Sequence, residues 1–430
     1  DEIVAELLAE GPTADELAAA RTRINASTIR GLEQIGGFGG KAVTLAEGQL
    51  YAGDPAFWRT LLDRLNTASA EAITATANDW LSTGYHEITV LPFGEFQSVA
   101  TDADRSALPS VTETPELVWP AVETAELSNG MDIVFVRRDA VPVVEMQMVF
   151  DAGYAADSVE GGQTGLASFT MNMLDEGAGR MDALEIAAEA ERLGANLSTG
   201  AGLDQSTVTL SALRSNLRDS LDLMATVITD PTFADDDIER IREQTLNGIR
   251  QEMANPIAIA LRMLPPEMYG EGHAYSVPFT GSGTMENVTG FTRDDLVAHH
   301  STWMRPDNAT LFIVGDTTLD EITPMLERAF RRWDAPSTPL PQKNMARAEN
   351  ADSARVIIVD RPNSPQSLIL AGLIGPEGTV ENPEVYSAMN DAIGGSFTAR
   401  VNMNLREDKG WSYGAQTLLW GARGQRPWIV

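Results

Sequence analysis

The chain has no cysteine among its 430 residues and only four histidines. The first absence removes disulfides, thiolate metal sites and cysteine nucleophiles together. It fits cytosol and periplasm without choosing between them. The four imidazoles, His86, His273, His299 and His300, fall into none of the spacings HExxH, HxxEH or HxxxH. His299 and His300 are adjacent, so on a helix they diverge and do not face one metal ion together. All four read as ordinary surface or half-buried side chains. No apolar run approaches the ~18 residues of a membrane span, so no transmembrane segment is expected. Positive charge is scarce as well: 31 Lys and Arg stand against 62 Asp and Glu, a net charge of −31. That balance argues against nucleic acid and anionic membrane surfaces as partners. Gly161-Gly162-Gln163-Thr164-Gly165 lacks the strand and the Lys/Ser of a phosphate loop, and no nucleophile elbow occurs. Asp1 is not an initiator methionine, so the lack of a signal-like pattern at the start excludes nothing.

What is present is a mixture of helical and alternating apolar patterns, an α+β reading. Thr13 with Glu16 makes a capping box for a helix over 13–29. Helical spacing returns over 41–50, 57–65 and 70–81, and a strand is expected at 87–91. Residues 98–117 are polar, rich in Thr, Ser and Pro, and read as a linker. Asn129-Gly130 then marks a hairpin, and strands are expected at 143–150, 196–201 and 205–212. Helices are expected at 164–174, 183–193, 217–227, 235–253, 293–303 and 319–331, with a strand at 309–314. A second, Pro-rich linker covers 336–344, and a strand is expected at 354–359. One internal echo supports duplication: Ile73…Trp80-Leu81…Ile88-Thr89-Val90-Leu91 matches Leu296…Trp303-Met304…Leu311-Phe312-Ile313-Val314 at a constant offset. By this reading residues 1–97 are the tail of a copy that begins before Asp1, 118–335 are a whole unit, and 345–430 open another.

The most informative stretch is Leu405-Arg406-Glu407-Asp408-Lys409-Gly410-Trp411-Ser412-Tyr413. A helix is expected over 396–405, Gly410 is placed to end it with a left-handed residue, and 411–419 reads as a strand. Arg406 and Tyr413 then face one cleft, where a guanidinium and a phenol offer donors to a carbonyl or a developing oxyanion. The residues alone leave the plainer alternative open, a solvated Arg beside a half-buried Tyr on a sheet edge.

The order and spacing of several short segments carry a resemblance. They are Gly153-Tyr154-Ala155-Ala156-Asp157 before Thr164-Gly165-Leu166-Ala167, then Leu193-Gly194-Ala195 and Asp230-Pro231-Thr232-Phe233. His273-Ala274-Tyr275, Met304-Arg305-Pro306-Asp307-Asn308 and the stretch Leu405 to Tyr413 follow. Together they resemble the pitrilysin/insulinase-type zinc metallopeptidases, relatives of the mitochondrial processing peptidase and of the core subunits of the cytochrome bc1 complex. The resemblance implies repeated metallohydrolase-like α+β domains, each an antiparallel-rich sheet packed by helices, in two halves that close like a clamshell. It casts 1–97 as the end of a second domain, 118–335 as the third and 345–430 as the first part of the fourth.

The family's zinc motif is HxxEH, and the matching positions here are Ser168, Met171 and Asn172. The resemblance therefore implies a non-zinc half, with Zn2+ bound outside this chain and none within it. It assigns Arg406 and Tyr413, seven residues apart as in the family, to the catalytic machinery as ligands of the substrate backbone and oxyanion. The implied partners are a peptide or unfolded protein and a zinc-bearing N-terminal half or separate subunit. Two rivals stand beside that reading: a non-catalytic structural subunit of the same fold, and a standalone Arg/Tyr subunit of a two-chain enzyme. Analogy to bacterial relatives implies an exported or periplasmic protein and leaves the cytoplasm open.

Overall fold

Several helices of this chain begin where a side chain takes up an unpaired amide of the first turn. The computed structural model describes residues 2–82, 118–159 and 163–430, which fall into two compact units, Asp1–Val122 and Glu123–Val430. The described part of the first unit is helical: α1 (Glu2–Glu10), α2 (Ala14–Gly31), α3 (Lys41–Ala52), α4 (Phe57–Thr67) and α5 (Ala70–Leu81). The capping box forms as read, with the Thr13 hydroxyl accepting from the Glu16 amide at 3.2 Å and the Glu16 carboxylate accepting from the Thr13 amide at 2.7 Å. Gly53, at φ +69, closes α3 in the left-handed region. The strand expected at 87–91, the linker at 98–117 and His86 lie outside the described residues.

The second unit opens with the expected hairpin of β1 (Glu123–Glu126) and β2 (Asp132–Arg137), turned at Gly130 with φ +89. Next come β3 (Val143–Phe150), α6 (Leu166–Asn172) and a short hairpin of β4 (Gly177–Ala178) with β5 (Met181–Asp182). After α7 (Ala183–Leu193), the strands β6 (Asn196–Ala201) and β7 (Ser206–Leu213) lead to α8 (Leu217–Thr229) and α9 (Asp235–Glu252). Then follow α10 (Pro256–Tyr269), α11 (Met285–Gly290), α12 (Arg293–Trp303), β8 (Ala309–Gly315) and α13 (Leu319–Ala329). The main sheet runs β1-β2-β8-β3-β7-β6, antiparallel except where β2 lies parallel to β8. Period-2 alternation sends Ile133, Phe135, Met146, Met148, Val208, Leu210, Leu311 and Ile313 to one buried face. Met146 sits opposite both Leu210 and Ile313, so the three central strands share one layer of core. Phe312 and Val314 point the other way and remain part-exposed. The echo is only partly matched in structure: Trp303 ends α12 buried, whereas Trp80 near the end of α5 is exposed.

The chain continues through β9 (Gly372–Glu377), α14 (Pro383–Asn390), the short α15 (Arg400–Asn402), β10 (Leu418–Leu419) and β11 (Gln425–Ile429), which pair as a three-stranded sheet β10-β11-β9. Three expectations need correction. The strand expected at 354–359 is irregular, with Val356 and Ile358 exposed. Apolar alternation there satisfies the pattern, but a strand exists only through a pairing partner. The strand expected over 411–419 shrinks to Leu418–Leu419, because loop and side-chain acceptors take the donors before it. The amide of Ala415 goes to the Asn402 carboxamide and that of Thr417 to the Gly394 carbonyl. The helix expected over 396–405 begins at Arg400 and widens into a π-helical turn over Met403–Asp408.

Arg305 shows how the resemblance segments act in folding. Its buried guanidinium donates to Asp307 at 2.6 Å and to the carbonyls of Thr338 (2.7 Å) and Pro336 (3.0 Å). It thereby fastens the Pro-rich stretch after α13 to the turn before β8. Arg305→Ala removes that fastening and is expected to cost about 1.5–3 kcal/mol in urea unfolding, the range for a hydrogen bond to a charged group. Arg305→Lys recovers only part of it, since an ammonium does not fork.

Candidate functional site

The helical turn that carries Arg406 is closed by a left-handed glycine, as the sequence requires. Gly410 has φ +61, its amide reaches the Arg406 carbonyl at 3.1 Å, and the Trp411 amide reaches Leu405 at 2.9 Å. The reversal brings Tyr413 back beside Arg406. The guanidinium carbon lies 4.9 Å from the centroid of the Tyr413 ring and 4.7 Å from that of Phe397. Its Nε is 3.2 Å from the Glu407 carboxylate. A permanent cation in contact with two aromatic rings gains ~0.5–1 kcal/mol from each at an exposed site. It also loses rotamer freedom before any ligand arrives. Arg406 and Tyr413 line one open groove of about 890 Å³, whose wall includes Phe397, Trp411, Ile369 and Leu261 of α10. Tyr413 is 89% and Trp411 75% exposed, so the phenol stands in solvent. The structure thus brings the sequence-predicted pair together. It adds Phe397, which the sequence reading missed because ring stacking across a turn leaves no local signal.

The other predicted positions lie on α6, apart from that groove. Met171 is 1% exposed and part of the main core, Ser168 is half-buried, and Asn172 faces solvent. A hydroxyl, a core thioether and a surface carboxamide do not fit zinc, which takes imidazole, thiolate or carboxylate. Among the described residues no group of three or more His, Cys, Asp or Glu is placed to hold a metal. The described histidines are more buried than expected, His273 and His299 being buried. His273 stacks on Tyr269 with ring centroids 4.9 Å apart, and its Nδ1 accepts the Tyr275 amide at 2.9 Å. Burial, reinforced by neighbouring His300, lowers His299 to about 3, and His300 donates its Nε2 proton to the Ile228 carbonyl at 2.7 Å. Each of the three described imidazoles, those of His273, His299 and His300, is spent on packing.

The front of α6 is held by a residue that the resemblance segments contain but the sequence reading gave no role. Asp157 is buried, and its carboxylate accepts the amides of Gly165 at 2.7 Å and Ala167 at 2.9 Å. Gly165, at φ +98, is why the helix starts at Leu166 rather than at Thr164. The two amides favour the charged carboxylate, but burial outweighs them and pushes its pKa up to about 7. A carboxyl whose folded pKa exceeds its unfolded value binds extra protons when folded, so stability falls as pH rises between the two. The Tm of wild type is therefore expected to gain on that of Asp157→Asn as pH is lowered from about 7.5 to 5. A constant gap in thermal melts across that range would contradict the assignment.

A second network joins the final segment to the main sheet. The Tyr275 hydroxyl donates to Asp204 at 2.7 Å and accepts the Gly424 amide at 2.8 Å, while the Arg423 amide reaches the other Asp204 oxygen at 2.7 Å. Burial raises the Tyr275 hydroxyl well above the usual phenol range, and the Asp204 carboxylate adds to it.

Comparison with known proteins agrees with this architecture. Residues 133–277 match the family described as insulinase (peptidase family M16), and residues 290–424 match the peptidase M16 inactive domain. The chain is 24% identical over 261 residues to the uncharacterised zinc protease ML0855 of Mycobacterium leprae, covering 59% of this chain and 56% of that protein. It is 22% identical over 287 residues to the uncharacterised zinc protease YmxG of Bacillus subtilis, covering 66% and 67%. The chain thus spans little more than half the length of the first of these relatives. Among solved structures, the peptidase M16 inactive domain from Pseudomonas fluorescens superposes with a TM-score of 0.61 at 23% identity, over 72% of this chain and 73% of that one. A protease from Helicobacter pylori gives 0.65 at 19% identity, over 72% and 74%. Both share the α+β fold found here. From the matched segments and the shared fold, the chain belongs to the insulinase family of peptidases, family M16.

Proposed function

We propose that this chain supplies the substrate-binding, non-zinc side of a family M16 peptidase. In this reading Arg406 and Tyr413 hold the main chain of a peptide or unfolded segment and donate to the oxyanion that forms during hydrolysis. The observation that carries it is the convergence of a cation and an exposed phenol on one groove, 4.9 Å apart, after a glycine reversal. The α6 positions complement it, since residues of the wrong chemistry for zinc belong on the side that does not hold it. The metal and the general base then belong to a zinc-bearing domain or subunit. The net charge of −31 favours cationic segments as substrates through long-range attraction.

The test combines this chain with the zinc-bearing half and follows peptide hydrolysis by wild type, Arg406→Ala and Tyr413→Phe. Each variant is expected to lose ~10²–10³ in kcat/KM, the usual cost of one oxyanion donor. Full activity in both variants would remove the pair from the reaction. Absence of hydrolysis in every zinc-bearing combination would favour a structural subunit instead.

A further inference from the structure

We propose that Asn402 is the positioning residue that sets the Arg406–Tyr413 geometry, a role that rests on the reading of that pair as the substrate site. Asn402 lies one helical turn before Arg406 and is 3% exposed. Its Nδ2 donates to the Phe397 carbonyl at 2.6 Å, and its Oδ1 accepts the Ala415 amide at 3.1 Å. One carboxamide therefore ties together three pieces: the segment bearing Phe397, the helix bearing Arg406, and the segment leaving Tyr413. Those outer pieces supply the two rings that lie against the guanidinium, at 4.7 and 4.9 Å.

The backbone fixes this stretch before Tyr413, where the Trp411 amide reaches the Leu405 carbonyl, and the Ser412 hydroxyl accepts the Gly414 amide at 3.2 Å, but neither bond reaches the segment of Phe397. Residues 411–417 form no strand, and beyond Ala415 the next fixed point is the Thr417 amide on the Gly394 carbonyl. Asparagine is a poor residue for a helix interior, because its side chain competes for backbone partners. Here that competition is the function: both halves of the amide are spent on non-helical backbone. Removing it frees Tyr413 to move with an irregular loop and removes the restraint that keeps Phe397 under the guanidinium. Asn402 touches no substrate in this scheme and acts only through the pair.

The full chain with selectively labelled arginine gives a readout that needs no substrate. Side-chain protons of Arg406, held over two rings, resonate upfield by ring-current shielding. In Asn402→Ala they are expected to move to ordinary positions while far-UV circular dichroism stays unchanged. Should that variant fold poorly, Asn402→Asp keeps the shape and the acceptor for Ala415 but sets an oxygen against the Phe397 carbonyl, and the same displacement is expected. Arg406 signals that stay upfield in a folded variant would overturn the positioning role.

Binding of a fluorescein-labelled, lysine-containing unstructured peptide, followed by anisotropy, separates this role from the reading beneath it. Asn402→Ala is expected to weaken binding about tenfold, because a charge-assisted hydrogen bond to the peptide is held less often in place. In the Arg406→Ala background it is expected to add nothing, because the two act as one unit. Weak binding by Arg406→Ala together with wild-type binding by Asn402→Ala would sink the positioning role alone. Wild-type binding by Arg406→Ala would instead sink the substrate-site reading, leaving the ring-current result to judge the geometry.

Discussion

Rebuilding the zinc signature on α6, with Ser168→His, Met171→Glu and Asn172→His in one variant, is expected to cost stability and to create no metal site. Met171 carries most of that loss. Its side chain is 1% exposed within the apolar core, and its carbonyl accepts the Thr199 hydroxyl at 2.8 Å, which fixes the helix on β6. A carboxylate there gives up its hydration for aliphatic neighbours, and an uncompensated buried charge costs about 3–5 kcal/mol. Against a typical domain stability of ~5–15 kcal/mol that is a large share. Ser168→His adds overpacking, because the space beside it is tight: a Cβ on Gly281 would lie 3.2 Å from the Ser168 hydroxyl. Asn172→His, at an exposed position, is expected to change little. Urea unfolding of the three single variants and the triple, with zinc content by equilibrium dialysis, checks each part. A triple variant as stable as wild type that binds one equivalent of zinc would mean that α6 still presents these positions to an open site.

The same helix shows which parts of the molecule local sequence can specify. Elements whose signals are local came out near their expected bounds: Val143–Phe150 by strict alternation, and Ala183–Leu193 between an Asp182 cap and the left-handed Gly194. α10 was missed because Pro265-Pro266 reads as a break in helical spacing. The carbonyl that the first proline leaves unpaired, that of Leu261, is taken by the Phe279 amide at 3.0 Å, a partner eighteen residues away that no window contains. The apolar segment at 354–359 errs in the opposite direction, since its alternation is local and its pairing is not. The candidate site divides along the same line. The proximity of Arg406 and Tyr413 was legible because Gly410 sets the reversal between them, whereas the hydrogen bonds that tie in the Phe397 carbonyl and the Ala415 amide run through the Asn402 side chain. An asparagine inside a helix, one turn before Arg406, was the one clue available.

For the Arg406–Tyr413 pair the expected results differ by variant, and that pattern is the sharper test of the proposal. Tyr413→Phe removes only the hydroxyl and leaves the ring 4.9 Å from the guanidinium. Arg406 stays in place, so a donor used chiefly in the transition state is lost: kcat is expected to fall ~10²-fold or more with KM little changed. Tyr413→Ala also removes the ring, so one face of the cation is uncovered and KM is expected to rise as well. Arg406→Lys keeps the charge but loses the planar fork and much of the stacking between Phe397 and Tyr413, which places its loss between wild type and Arg406→Ala. Because the two side chains touch, the double variant Arg406→Ala/Tyr413→Phe is expected to lose less than the product of the single losses. A peptidase in which the losses multiply independently would have the two residues acting at separate points on the substrate, and the contact between them would then be packing rather than a shared donor pair.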